Sequence, residues 1–135
     1  MGAIEFCSLR ALPLREEVNQ SLQGLEVKRT SLRIRNPANR PDSLEAVALT
    51  YFEARAAEGD LPPPGLQDPG DGTLRFSTSL VANEMCVQCH GDPAILAPDV
   101  AEALAERYPA DQATGYKLGD LRGVIRVTIP REGDR

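Results

Sequence analysis

Two periodicities organise the chain. Over residues 3–22, Ile4, Cys7, Leu9, Leu12, Leu14, Val18 and Leu22 recur at roughly helical spacing. This predicts a helix that Pro13 kinks or restarts and that Gly24 closes. From Leu25 to Arg35 the period drops to two, with Lys28, Thr30, Leu32 and Ile34 on one side and Val27, Arg29, Ser31, Arg33 and Arg35 on the other. That is a strand with one basic face. In Asn36-Pro37-Ala38-Asn39-Arg40-Pro41 each proline pushes the residue before it out of the helical region, so a tight connection follows. Asp42 with Glu45 reads as a capping box opening a helix over 43–58, with an expected buried stripe of Leu44, Val47, Ala48, Tyr51 and Phe52.

Residues 59–72, where Pro62, Pro63 and Pro64 precede three glycines, are expected to form an irregular surface loop. Alternation returns from Thr73 to Val81, giving a second strand. After the turn Gly91-Asp92-Pro93, Asp99 with Glu102 caps a short helix carrying Val100, Ala103, Leu104 and Tyr108. The pattern predicts a closing hairpin: Tyr116-Lys117-Leu118, a Gly119-Asp120 turn, then the long apolar strand Leu121 to Ile129. No internal repeat or low-complexity run interrupts this order. Residues 1–135 therefore read as one domain, long enough for a real core and too short for two.

Composition changes the picture in two ways. The chain has no Trp and only three Phe and three Tyr, which leaves core volume that a bound ring system could fill. Its formal charge of −5 argues against nucleic acid or an anionic membrane surface as partner. No apolar run approaches the length of a membrane span.

The candidate chemistry lies in Cys86-Val87-Gln88-Cys89-His90. Two cysteines three apart with an adjoining histidine fit one helical turn, so both sulfurs can bond the vinyl groups of a haem while His90 faces its iron. One covalent haem c is the expected cofactor. A bare redox Cys-x-x-Cys with an incidental histidine is the bland alternative. Zinc held by Cys7, Cys86, Cys89 and His90 fits poorly, because neighbouring Cys89 and His90 cannot easily both turn onto one tetrahedral ion. Haem c attachment takes place outside the bacterial cytoplasm, so a periplasmic or extracytoplasmic location is expected. Met1-Gly2-Ala3 does not begin a signal peptide, and an export signal or membrane anchor is expected to belong to the native chain.

A second axial ligand is scarce. His90 is the only histidine, Met85 immediately precedes the motif, and no methionine follows it. Bis-histidine ligation within one chain is thereby excluded, and the histidine-methionine pair of ordinary electron carriers is disfavoured. Cys7, a lysine such as Lys28 or Lys117, a tyrosine, water or an open position remain. Cys7 has the ordinary alternative of a small buried apolar residue.

Three runs carry a resemblance: Lys28 to Asn39 with Pro41-Asp42 after it, the haem motif with Gly91-Asp92-Pro93, and Ala113-Thr114-Gly115-Tyr116-Lys117-Leu118-Gly119-Asp120-Leu121-Arg122-Gly123. From about Ala3 to Pro130 the chain resembles a bacterial family of single-haem c domains with a PAS-like fold, found in cyanobacteria and proteobacteria. The resemblance implies an α+β fold in which a five-stranded antiparallel sheet is flanked by helices, with an N-terminal helix over the haem. It also implies iron ligated by the motif histidine and by a cysteine on that helix, which map onto His90 and Cys7. The Pro- and Gly-rich run 59–72 departs from the family's pattern. Arg33, Arg35 and Tyr116 are candidates to contact the haem propionates, since guanidinium binds carboxylate in bidentate fashion. A solvated strand face is their alternative reading.

Two functional classes follow. One is an extracytoplasmic redox or small-gas sensor, and the other a small soluble electron-transfer cytochrome c. About 40 residues with a predicted hairpin follow His90, unlike a helical-bundle cytochrome with its motif in the last helix. An enzyme is not expected, because no histidine is left as a distal acid-base group once His90 binds iron. The expected partners are a redox protein or a diatomic gas, a second copy of the chain, and a membrane-anchored effector in a longer parent chain. Nucleic acid is not among them.

Overall fold

The computed structural model describes residues 2–22 and 24–132, apart from the side chains of Ala3, Phe6 and Cys7. Its helices are α1 (Ala3–Ser21), α2 (Ser43–Ala57), α3 (Glu84–His90) and α4 (Pro98–Arg107), with a 3₁₀ turn at Pro37–Asn39. Its strands are β1 (Glu26–Thr30), β2 (Gly65–Gln67), β3 (Thr73–Val81) and β4 (Leu121–Pro130), in one antiparallel sheet of order β1-β4-β3-β2. The described residues thus hold four strands, where the resemblance led us to expect five.

Placing β4 centrally overturns the expected closing hairpin. Tyr116-Lys117-Leu118 is not a strand, and β4 pairs instead with β1 and β3. The apolar run of β4 is long enough to serve two neighbours, so sequence distance does not decide its partners. Gly123 permits the approach to β1, since a Cβ there would lie 2.3 Å from the Thr30 carbonyl oxygen. Residues 65–67, expected as loop, form the short edge strand β2, which Pro62, Pro63 and Pro64 precede rather than interrupt.

α1, α2 and α4 each depart from expectation in one respect. α1 runs through Pro13 without a break, and Pro13 is exposed, so the missing N–H falls on the water side. Asn19 of α1 covers the outer edge of β1, accepting from the Val27 N–H at 2.7 Å and donating to its carbonyl at 3.2 Å. α2 has the expected cap: Asp42 accepts from the Glu45 N–H at 2.8 Å, and Glu45 accepts from the Asp42 N–H at 2.9 Å. Its buried stripe is Glu45, Ala48, Leu49 and Phe52, whereas Val47 and Tyr51 are exposed. The helix is turned about one residue from expectation because Lys28 and Arg126 draw Glu45 inward. α4 starts with Pro98 after Ala97, not with an Asp99 cap, as proline suits the first helical position.

Two apolar clusters of different make-up form the described core. Under α2, Leu49 and Phe52 meet Leu121 and Val124 in a cluster of large apolar side chains. A second cluster consists of Ala82, Ala113 and Tyr116, with Cys86 packed against it. The smaller residues of this cluster adjoin the cysteine motif.

Candidate functional site

α3 is a single short helix whose start and end are both tied down. Asn83 caps its start, accepting from the Cys86 N–H at 3.1 Å. At the other end the Gly91 N–H bonds the Val87 carbonyl at 2.9 Å, and a Cβ on Gly91 would meet that oxygen at 2.4 Å. The Cys-x-x-Cys-His spacing thus falls on one turn, as expected.

The segment 111–116 grips the end of that turn. The Gly115 N–H bonds the Gly91 carbonyl at 2.8 Å and the Tyr116 N–H bonds the His90 carbonyl at 2.9 Å. His90 Nδ1 lies 2.7 Å from the Ala113 carbonyl oxygen. A carbonyl only accepts, so Nδ1 of the neutral ring carries the proton and Nε2 keeps its lone pair. Burial, joined by the positive charge of Arg35, pushes the His90 pKa down to about 4. The imidazole is therefore neutral near pH 7, as a metal ligand must be.

Around this turn opens a cavity of about 190 Å³, bounded by α1 at Ala11 and Leu12, β1 at Arg29 and Thr30, Leu80, Cys86 and His90, and Arg122. Arg35 also lines it, and among the described residues no Asp or Glu does. Arg35 donates to the Cys89 carbonyl at 2.6 Å and the Ala113 carbonyl at 3.1 Å, and sits 3.1 Å from an Asp111 carboxylate oxygen. Its Nε remains buried without a hydrogen-bond partner. An orphaned donor on a wall lacking acids suits an anionic occupant. The apolar side chains of Ala11, Leu12, Ile34 and Leu80, a neutral imidazole and a lining cysteine suit a porphyrin with carboxylate arms.

The expected site residues divide into those the fold brings to the cavity and those it sets behind it. Cys86, His90 and Arg35 line it. Cys89 is half-buried on the same turn, with its carbonyl held by Arg35. Arg33 and Tyr116 form a second layer: Arg33 lies over the Tyr116 ring at 4.2 Å and donates to the Gln112 carbonyl at 3.1 Å and to that of Thr114. Tyr116 is buried edge-on to His90, with ring centres 6.3 Å apart. Cys7 belongs to α1, and its side chain, expected as the second axial ligand, lies outside the described residues. Sequence reasoning missed Arg29 and Arg122. The strand run carries two charges, Arg122 and Arg126, and nothing in the sequence tells which of them reaches the cavity.

The fold and sequence agree with known proteins. A family model, Tll0287-like, matches residues 4–130. Among solved structures, the cyanobacterial haem protein Tll0287 superposes with a TM-score of 0.72 at 27% sequence identity, over 92% of this chain and 71% of that one. No curated protein matches.

Proposed function

Because the chain belongs to the Tll0287-like family, we propose that it is a c-type haem protein acting as an extracytoplasmic redox or small-gas sensor. Similarity to a haem protein supports the cofactor class. The observation that carries the covalent assignment is the α3 turn, with Cys86 and Cys89 for two thioether bonds and His90 neutral, its Nδ1 proton held by Ala113. Fixing the far ring nitrogen in this way orients an axial imidazole and raises its basicity. A bound haem would supply a one-electron iron couple and, where an axial position opens, a place for a diatomic ligand.

We take Cys7 as the second axial ligand. Its support is the family resemblance and its place in α1, one turn before the cavity-lining Ala11. Polar anchors of α1 include Asn19 on Val27, Arg15 on Asn39 at 3.4 Å, and Glu5 on Arg107 at 3.7 Å. The Asn19 and Arg15 bonds, in the second half of the helix, are part-buried, whereas the Glu5 pair near its start is exposed, so making or breaking one bond there can move it, as a sensor requires. The competing carrier role would keep both axial ligands through the redox cycle.

Expression in a host with haem c maturation machinery tests the reading. Intact mass should rise by one haem in wild type and not in Cys86→Ala/Cys89→Ala. A colourless, unmodified wild-type chain would overturn the assignment. Rapid carbon monoxide binding by reduced protein favours the sensor, and none at all favours the carrier. A Cys7→Ser variant with an unchanged ferric spectrum would remove Cys7 from the iron.

A further inference from the structure

β4 contains an irregularity at the cavity. Leu80 pairs with Gly123 and Val81 with Leu121, so Arg122 is an extra residue with no partner on β3. Such a bulge re-aims the side chain it carries. On the regular part of β4, residues alternate between faces: Arg126, opposite Lys28, reaches Glu45 of α2, while Ile125, opposite Arg29, faces α1. By even spacing Arg122 would join Arg126 beneath α2. The bulge instead turns it to the cavity that Arg29 lines.

The charges there do not balance. Three guanidinium groups, of Arg29, Arg35 and Arg122, line the cavity, and one carboxylate, Asp111, pairs with Arg35. Two are left over. Among the described residues no carboxylate forms an ion pair with Arg29 or Arg122. Arg122 instead donates to the Arg33 carbonyl at 3.2 Å and lies 5.2 Å from the centre of the Tyr116 ring. Burial, with repulsion from Arg35 and Arg29 adding to it, pulls its pKa below the usual arginine value, while Tyr116 acts the other way. Arg122 is half-buried and Arg29 is exposed at the cavity edge, and a partly buried cation without a carboxylate favours an anion from outside the chain.

We propose that Arg29 and Arg122 receive the two propionate carboxylates of the haem, Arg122 from within the cavity and Arg29 from its exposed edge. This assignment rests on the proposed haem function and moves the propionate role away from Arg33, Tyr116 and also Arg35, whose guanidinium is already paired with Asp111 and the Cys89 and Ala113 carbonyls. Arg33 is engaged by backbone carbonyls and the Tyr116 ring, and therefore positions the 111–116 segment.

The test is a pH titration of the hyperfine-shifted haem methyl resonances in ferric holoprotein. Arginine pairing keeps a propionate ionised, whereas a partly buried propionate without its cation protonates within about pH 5 to 8. Wild type, Arg33→Gln and Arg122→Lys should show no inflection across that window. Arg29→Gln and Arg122→Gln should each show one. Flat profiles in both glutamine variants, or an inflection in Arg33→Gln, would overturn the proposal. Should Arg122→Gln fail to fold, the exposed Arg29→Gln decides the matter alone. Failure of wild type to take up haem at all would instead overturn the haem function itself.

Discussion

Lys28 and Arg29 are neighbours on β1 and meet opposite fates. Lys28 points under α2, where its Nζ lies 2.6 Å from Glu45 and 2.9 Å from the Arg40 carbonyl. Arg126 closes that group, with Nε 3.5 Å from the other Glu45 oxygen and a further bond to Glu26. Arg29 points the other way, to a wall where cations outnumber anions. Arg29 is exposed and Arg35 and Arg122 are half-buried, whereas Glu45 and Arg126 are buried, and of the two sides the α2 side balances its cations with carboxylates of its own. A closed charge cluster serves the fold, and an open one serves something that binds.

The largest expected effect would come from breaking the closed side. Glu45 is 1% exposed, and Glu45→Ala would strand Lys28 without a carboxylate and leave Arg126 with Glu26 alone. We expect a loss of about 3–5 kcal/mol in denaturant unfolding. A loss below about 1 kcal/mol would mean that the cluster contributes little to the fold.

A smaller effect is expected from pH on protein made without haem attachment. His90 titrates near 4 in the folded chain and near 6.5 when unfolded, so the unfolded state takes the proton first as pH falls. This part of the stability is fully present above pH 6.5, is lost as pH falls toward 4, and changes no further below that. Allowing for partial exposure, the loss is on the order of 2 kcal/mol. Unfolding curves at several pH values, set against His90→Gln, should show the excess loss only in wild type.

The smallest effect sharpens the contrast most. In the same haem-free protein Arg122→Met should stay within about 1 kcal/mol of wild type or exceed it, since a half-buried cation without a carboxylate gives little back for its desolvation. Arg126→Met, four residues along the same strand, should cost clearly more because Glu45 loses a partner. Equal losses would erase the distinction between the two sides.

Much of this was legible along the chain. The Cys86 to His90 spacing is a local matter, since all its residues lie on one helical turn. The same holds for the Asp42–Glu45 capping box and the alternation of residues 73–81, which matches β3. What failed depended on distant partners. The burial of Glu45 needs Lys28 and Arg126, the clamp on His90 needs Ala113 to Tyr116, and the aim of Arg122 needs a bulge against Leu80 and Val81.

By itself, then, the sequence determined the attachment turn, the capped helix and the long strands, because hydrophobic period and ligand spacing are set by residues only a few positions apart. Tertiary structure alone decided which strand is central, which helix face is buried, and which arginines reach the cavity. Those outcomes turn on strand register, where one inserted residue sends a side chain to the opposite face.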